Sequence, residues 1–293
     1  MPTLRDIKSH ISSVRNIAKV TRAMEMVAAA RNHRLMAQVE STRVFADKSW
    51  EVLNHLAGAA ESGIRENPMF CGYSQVSQIG LLLISSDRGM VGAYDANVLN
   101  MVSRYIQDHA SRVQLITIGK TGREAMLRQG VPIHAEFTNL SDKIDITELT
   151  PVARVVLDGF REHVFDEVHI AYTQFREGTR LRPEIRQLLP VCPEIKQDKR
   201  EYIYEPDPNE LLMALLPRLI RFQIYQAFLE SLAAENTARM VAMHAATQNA
   251  TEIIDNLTVS YNKARQQAIT SEILDILGGA NALSAQPAIP NMT

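Results

Sequence analysis

The chain has 293 residues, of which 46% are hydrophobic and 22% charged, and its formal net charge is -2. This composition is typical of a globular protein with one large or two modest domains, and the charge argues against a general nucleic-acid-binding protein. Cys71 and Cys192 lie far apart without a CxxC or Cys/His spacing, so neither a disulfide framework nor a zinc site is predicted. No apolar run approaches the roughly 20 residues of a membrane span, and no signal peptide is recognisable, so we expect an intracellular protein.

A long helix is predicted at the N-terminus, because no glycine or proline stands between Pro2 and Gly58. Its apolar stripe follows three- and four-residue steps through Leu4, Ile7, Ile11, Val14, Ile17, Val20, Met24 and Val27. Basic side chains lie between them at Arg5, Lys8, Arg15, Lys19, Arg22, Arg31 and Arg34. Such a face fits anionic lipid, nucleic acid, an acidic protein surface or plain solvent. The absence of aromatic residues before Phe45 weakens the lipid and nucleic-acid interpretations.

The middle of the chain alternates between predicted strands and helices. A loop from Gly58 to Gly80 leads into the first strand, and the predicted helices cover residues 93–108, about 120–129 and 147–163. The predicted strands are Ile79 to Ser86, Val113 to Ile118, Val131 to Phe137 and Val168 to Tyr172, with weaker candidates at Ile185 to Val191 and Tyr202 to Tyr204. This alternation indicates parallel βαβ units in an open, Rossmann-like sheet.

The predicted sheet carries no convincing catalytic, cofactor or metal site. Gly119-Lys120-Thr121 resembles the end of a P-loop, but Gln114 stands where the first glycine is required. The turn from Asp87 to Gly92 has a position where anions bind backbone amides in other proteins, although a structural turn is the favoured interpretation. No nucleophile elbow, zinc-protease motif or paired-carboxylate signature is present in the sequence.

A second long helix is predicted from Arg218 to Leu277, a stretch without glycine or proline. At 1.5 Å rise per residue it would be about 90 Å long, more than a small domain can cover. Two heptad series predict a coiled-coil seam, one through Met240, Thr247, Ile254, Tyr261 and Ala268, and the other through Met243, Ala250, Leu257 and Ala264.

The last helix has two further features. Small residues between Glu230 and Met243 would let another backbone approach closely, and Arg265 and Gln266 offer hydrogen bonds near the far end, unless they are simply solvated. The predicted fold class is α/β, with a long antiparallel coiled coil of the two terminal helices and a Rossmann-like βαβ domain. The predicted boundaries are 1–58 for the first helix, 75–205 for the α/β domain and 209–280 for the last helix.

Two stretches carry family motifs: Ile7 to Leu35, including the sequence VTRAMEMVAA, and Arg239 to Leu283, including YNKARQ, Ile269-Thr270 and GGA. There the chain most strongly resembles the gamma subunits of F-type ATP synthases in their short bacterial form. The resemblance covers nearly the whole chain. The loop from Ser86 to Gly92 also fits the family. Met90, Val91 and Tyr94 depart from the residues common there.

The resemblance implies a non-catalytic rotor shaft without cofactors, which couples proton-driven rotation of the c ring to conformational change of the catalytic beta subunits. The implied partners are the alpha and beta subunits of the hexamer, the epsilon subunit and the c-subunit ring, with no nucleic acid. The absence of a recognisable transit peptide leads us to expect a bacterial protein. We expect it at the cytoplasmic face of the plasma membrane, as a peripheral protein attached only through its partners.

By the same resemblance, Arg265, Gln266, Thr270 and Glu272 would meet a catch loop of beta. Arg239, Lys19, Arg22 and Met24 would approach an acidic lever segment of beta. The tail from Ser284 to Thr293 extends beyond the family's usual end, as a disordered segment or as a contact inside the hexamer. Two other functions are open on the residues alone: a nucleotide-dependent α/β enzyme with a coiled-coil arm, and a static coiled-coil adaptor.

Overall fold

A computed structural model describes residues 3–59, 67–109, 112–140, 145–175, 181–191, 205 and 207–284. The described helices are Leu4–Ala59 (α1), Pro68–Cys71 (α2), Tyr94–His109 (α3), Lys120–Arg128 (α4), Thr150–Arg161 (α5) and Pro208–Ser284 (α6). The described strands are Ile79–Ile84 (β1), Val113–Ile118 (β2), Ile133–Phe137 (β3), Glu167–Phe175 (β4) and Leu181–Leu189 (β5). The predicted α/β class, with a long helix toward each end of the chain, is confirmed.

The chain forms two compact units. The first unit combines Met1–Glu25 with Met243–Thr293, so it holds the start of α1 and the end of α6. The second unit, Met26–Ala242, contains the remainder of both helices and all five strands of the sheet.

The sheet of the second unit has the strand order β3-β2-β1-β4-β5. Strands β1 to β4 are mutually parallel, as predicted, but β5 is antiparallel to β4. The physical reason is the short connection, because residues 176–180 are too few for the crossover of about a dozen residues that a parallel partner needs. The predicted strand Tyr202 to Tyr204 lies outside the described residues.

Apolar side chains cover both faces of this sheet. On one face, Leu81 and Leu83 of β1 pack with Val98 of α3 and Met126 of α4. The opposite face, which includes Leu82 and Ile84, packs against α5 and the parts of α1 and α6 that belong to this unit. Burial on both faces explains why β1 is an uninterrupted apolar run, as expected for a central parallel strand.

Two connections differ from the predictions because local caps create structure there. The predicted loop before β1 contains the short helix α2, where Asn67 Oδ1 accepts a hydrogen bond from the Met69 N–H at 2.9 Å. The predicted helix over 147–163 is instead a 3₁₀ turn, Ile146–Leu149, followed by α5. Asp145 and Glu148 form a reciprocal capping box at the start of that turn.

Helix α6 is longer than the predicted segment at both ends. It begins at Pro208 and passes through Pro217, and it continues beyond Leu277 through two glycines. Proline has no N–H to donate within a helix, which normally favours a break. Leu212, Leu216 and Ile220 are buried in the main core around Pro217, and this packing holds the helix together.

Candidate functional site

Helices α1 and α6 run antiparallel in the first unit. The Thr21 and Thr247 hydroxyl oxygens lie 2.8 Å apart, and the Glu25 carboxylate lies 2.9 Å from His244 Nδ1. Moving forward along α1 from Thr21 to Glu25 therefore moves backward along α6 from Thr247 to His244. The predicted antiparallel pairing is confirmed.

The seam between these helices follows a heptad spacing on both sides. Four of its apolar side chains are buried: Ile7, Val14, Met243 and Ala250. The half-buried positions with the same spacing are Leu4, Ile11, Ala18, Thr21 and Glu25 in α1, and Thr247, Ile254, Leu257, Tyr261 and Ala264 in α6. The seam predicted in α6 is therefore confirmed over most of its length.

The apolar stripe predicted for α1 is wrong at three of its last four members, which are exposed, while Met24 is half-buried. The seven-residue repeat that begins at Leu4 continues through Ile11 to Ala18, and Thr21 is the next half-buried seam position. Ala18 is small and Thr21 is polar, so neither belongs to a stripe of large apolar residues. Selecting residues by hydrophobicity misses such positions, because close helix packing favours small side chains there. The larger apolar side chains of the predicted stripe lie outside the seam. Their exposed fractions are 56% for Ile17, 59% for Val20 and 52% for Val27.

The seam ends at Ala264, before the predicted final member Ala268, whose side chain is exposed. The reason is the length of the partner helix. Leu4, the first residue of α1, lies as far before Thr21 as Ala264 lies after Thr247. Beyond this point α6 has no opposing residue in α1.

The continuation of α6 past the seam carries four of the predicted contact residues. Every described side chain from Arg265 to Asn281 is exposed, and the Thr270 hydroxyl donates to the Gln266 carbonyl oxygen at 2.9 Å. A helix turns by about 100° per residue. Arg265, Gln266, Thr270 and Glu272 therefore share one half of its surface.

The same half of α6 presents apolar side chains that the sequence analysis did not select. Their exposed fractions are 45%, 51%, 65% and 55% for Ile269, Ile273, Ile276 and Leu277. The sequence contains a pattern that could have identified them, because the first three follow the i, i+4, i+7 spacing of one helix face. An exposed apolar strip bordered by polar and charged groups is typical of a surface that binds another protein.

The outer face of α1 in the first unit is also divided. Lys19 and Arg22 are exposed on one flank, and Ile17 and Val20 are exposed on the other. Met24 is half-buried. A basic flank beside an apolar flank fits a protein surface that is acidic and partly apolar better than it fits solvent.

In the second unit, two aspartate carboxylates accept hydrogen bonds from backbone N–H groups at the carboxyl ends of the strands. Asp87 accepts hydrogen bonds from the N–H groups of Lys120 at 3.1 Å and Asn139 at 2.8 Å. Asp95 accepts from the Ser86 N–H at 3.0 Å and from the Ser86 hydroxyl at 2.5 Å. The amide at the start of α4, where an anion would bind, is thus engaged within the protein. These contacts support the structural interpretation of the turn after β1.

The glycine of the P-loop-like sequence has a structural explanation. Gly119 has a φ of +100°, and a Cβ atom there would lie 2.2 Å from the Ser85 carbonyl oxygen. The Ser85 hydroxyl also accepts a hydrogen bond from the Gly122 N–H at 2.9 Å. The close approach of α4 to the end of β1 therefore accounts for this glycine.

Helix α6 lies at the place in this fold where ligands usually bind. The strand order reverses at β1, with β2 on one side and β4 on the other, and open α/β sheets bind ligands beside such a reversal. Here the Tyr94 hydroxyl lies 2.7 Å from the Ser231 hydroxyl, which also accepts the Thr173 N–H at 3.4 Å. Val91 and Ala234 pack with Tyr94. This packing opposes the nucleotide-dependent enzyme interpretation.

The small residues of α6 were predicted to let another backbone approach closely. This prediction is confirmed, and the backbone that approaches belongs to the end of the sheet. Ser231, Ala233 and Ala234 are completely buried. Burial raises the pKa of Tyr94 well above its usual value, so its hydroxyl stays protonated as a hydrogen-bonding group.

Arg239, another predicted contact residue, lies in the second unit and is bound within the chain. Its guanidinium is 2.6 Å from the Glu235 carboxylate and donates to the Arg88 carbonyl oxygen at 3.3 Å. Only 14% of its side chain is exposed. Arg239 therefore ties α6 to the turn after β1, and its contact with beta stays a prediction.

A buried carboxylate, Glu230, links several elements of the second unit. Burial raises its pKa, and the Arg43 guanidinium at 3.7 Å opposes that shift. The Gln226 amide donates to the same carboxylate oxygen at 3.3 Å. Arg43 also donates to the Phe175 carbonyl oxygen at 3.1 Å. The cluster joins α1, α6 and the end of β4.

Within the described ranges, no group of three or more His, Cys, Asp or Glu side chains is arranged to hold a metal ion. None of the described helices has the length and hydropathy of a membrane span.

Comparisons with known proteins agree with this architecture. Residues 3–283 match the family model described as ATP synthase. The ATP synthase gamma chain of Roseiflexus castenholzii is 42% identical over 289 residues, which cover 97% of this chain and 99% of that one. The gamma chain of Dehalococcoides mccartyi is 43% identical over 286 residues, which cover 97% of this chain and all of that one.

Two solved structures share the fold. A chain of the Euglena gracilis mitochondrial ATP synthase, in a structure of OSCP, F1 and the c-ring, is 18% identical with a TM-score of 0.69. The match covers 99% of this chain and 98% of that one. A chain of the Tetrahymena thermophila mitochondrial central stalk and c-ring is 21% identical with a TM-score of 0.58, over 78% of this chain and 99% of that one.

The paired helices and the exposed mixed face of α6 are typical of a protein that acts through contacts with other proteins. The match over residues 3–283 and the full-length relatives identify which one. The chain belongs to the family of ATP synthase gamma chains. It is a stalk subunit of that enzyme and part of the membrane-bound complex.

The antiparallel seam predicts a specific cross-link. Replacing Thr21 and Thr247 by cysteine, with Cys71 and Cys192 changed to serine, should give an intramolecular disulfide on mild oxidation, because the two hydroxyl oxygens are 2.8 Å apart. Non-reducing electrophoresis at low protein concentration would detect it. The control pair is Thr21→Cys with Thr258→Cys, since Thr258 is exposed further along α6. Equal yields from both pairs would contradict this register.

The buried carboxylate predicts a pH dependence of stability. Because the folded pKa of Glu230 is raised above its ordinary value of 4.5, its stabilising contribution is present below that pH and is lost as the pH rises. Relative to wild type, Glu230→Gln should therefore gain unfolding free energy as the pH rises above about 4.5. Urea unfolding followed by the fluorescence of Trp50, which packs on the same core, measures this difference.

Glu124→Gln serves as the control for this prediction, because Glu124 is exposed on α4 in the same unit. Its unfolding free energy should follow that of the wild type at every pH. Parallel pH profiles for wild type and Glu230→Gln would show that burial does not shift this carboxyl group.

Proposed function

We propose that this chain is the central-stalk rotor subunit of a bacterial F-type ATP synthase. It couples proton-driven rotation of the c ring to conformational change of the catalytic beta subunits, in synthesis or hydrolysis of ATP. The observation that carries the proposal is the extension of α6 beyond its antiparallel partner, with an exposed mixed face from Arg265 to Leu277. The close sequence relationship to bacterial gamma chains supports it.

The proposed partners are the alpha and beta subunits of the catalytic hexamer, the epsilon subunit and the c-subunit ring. The chain is held at the cytoplasmic face of the bacterial plasma membrane only through this complex. The bacterial origin of the similar gamma chains supports the location. The fold shared with a chain from a structure of a central stalk and c-ring supports the choice of partners.

The exposed end of α6 is the proposed contact with a catch loop of beta. Arg265 can form two parallel hydrogen bonds with a carboxylate, and Gln266 supplies both a donor and an acceptor. Thr270 and Glu272 extend the same polar border. The apolar strip beside them supplies surface that binding removes from water, which stabilises the contact by about 25 cal/mol per Å².

The basic flank of α1 is the proposed contact with an acidic lever segment of beta. Lys19 and Arg22 are exposed and supply the charge, and the half-buried Met24 of the same helix contributes an apolar side chain. Opposite charges across such a contact guide association and orient the surfaces. Arg239, in the second unit, is a separate proposed contact with that segment, and its bond to Glu235 fixes the direction of its guanidinium.

Reconstitution with bacterial alpha and beta subunits tests the rotor function. We expect the chain to assemble with them in one copy per hexamer and to raise ATPase activity. A bead attached to the chain should rotate in one direction while ATP is hydrolysed. The static-adaptor alternative predicts assembly without rotation. An isolated chain that binds ATP with micromolar affinity would instead favour the enzyme alternative.

Replacing Arg265 and Gln266 together by alanine tests the contact with beta. We expect ATP-driven proton transport to fall by at least about tenfold, since the loss of one hydrogen bond to a charged group, roughly 1.5 to 3 kcal/mol, already corresponds to that factor. Folding should be unaffected, because both side chains are exposed. Proton pumping by membrane vesicles and the thermal unfolding temperature are the two measurements.

The matched control replaces Glu252 and Asn256 by alanine, since these residues are exposed on α6 beside the seam. This variant should retain most of its proton transport. Normal transport by the Arg265→Ala, Gln266→Ala variant in a fully assembled complex would exclude the proposed contact.

A further inference from the structure

The crevice at the carboxyl ends of β1 and β4 contains four polar links between α6 and the rest of the second unit. The Tyr94 hydroxyl meets the Ser231 hydroxyl at 2.7 Å, and the Thr173 N–H donates to the same serine at 3.4 Å. On the same helix, Glu230, the residue next to Ser231, lies 3.7 Å from Arg43, and Arg239, eight residues beyond Ser231, donates to the Arg88 carbonyl oxygen.

The helix surface in this crevice is shaped for close contact. Ser231, Ala233 and Ala234 have no exposed surface, and further along the helix the side chain of Ala242 would meet a Cβ placed on Gly92 at 3.8 Å. Small side chains let the helix axis come near the strand ends. Tyr94 then bridges the crevice from the first turn of α3, with only 3% of its surface exposed.

Such a contact resists rotation of the helix about its own axis. Apolar packing alone has little directional preference, and a smooth row of alanines would permit sliding. Buried hydrogen bonds have strict angular requirements and are strong in a medium of low polarity. The Arg239 link to Arg88 lies about two turns along α6 from the Tyr94 contact, so the helix is held at two separated points.

We infer that this crevice, centred on Tyr94 and Ser231, is the joint through which torque passes between helix α6 and the α/β domain. A location that binds ligands in related folds is here occupied by the protein's own helix. Tyr94 and Ser231 are positioning residues for coupling. The inference rests on the proposed rotor function, because a static subunit would carry no torque.

The test measures torsional stiffness in the assembled complex. A bead is attached to the α/β domain through cysteines introduced at Ala96 and Arg128, which are exposed, after Cys71 and Cys192 are changed to serine. The angular fluctuation of the bead is recorded with alpha, beta and this chain assembled and without nucleotide. Greater compliance at the joint appears as a larger angular variance.

The two variants should differ in size of effect. Ser231→Ala leaves the Tyr94 hydroxyl buried without this partner, whereas Tyr94→Phe leaves Ser231 its bond from the Thr173 N–H. We expect about a twofold increase in variance for Ser231→Ala and a smaller increase for Tyr94→Phe, because an unpaired buried group costs more than a lost bond. The control, Thr258→Ala, lies outside the crevice and should match wild type.

The outcomes separate this inference from the rotor function. Unchanged variance in both variants, with a lowered unfolding temperature, would mean that the contact is structural only and would overturn the inference. If Ser231→Ala does not assemble, the milder Tyr94→Phe still decides the result. Failure of the wild-type chain to rotate would reject the rotor function itself.

Discussion

The close approach of helix α6 to the carboxyl ends of β1 and β4 is the constraint on which the second unit depends. Ser231, Ala233 and Ala234 allow it because they are small, and Tyr94 uses the remaining space to make a buried polar contact. The sheet keeps the geometry of a ligand-binding fold. A helix fills the ligand crevice, so the chain's own side chains make the contacts there that a ligand makes in other proteins of this fold.

The first unit shows the same preference for small residues at close contacts. Ala18 and Thr21 lie in the seam, while Ile17 and Val20 point outward with more than half of their surfaces exposed. This arrangement lets two helices pack closely and leaves large apolar side chains on the outside. An exterior of this kind is costly in water unless a partner covers it, which agrees with a shaft that works inside a protein assembly.

Several features followed from the sequence because they depend on local patterns. The apolar runs of β1 and β2 and the heptad series of α6 are set by burial along one element, so their spacing is visible in the chain. The family resemblance added partners and contact residues. The seam positions of α1 were harder to predict from the sequence. Ala18, Thr21 and Glu25 are small or polar, and they are recognised only through their partners across the seam.

The sequence by itself determined the two long helices, the α/β class and the family, because periodicity and motifs are properties of consecutive residues. Only the tertiary structure decided where α6 meets the sheet, that the seam stops at Ala264, and that Arg239 is bound to Glu235 and Arg88. It also placed β5 antiparallel to β4. These outcomes depend on which distant segments come together, and that choice is made by shape and by the pairing of buried polar groups across the whole fold.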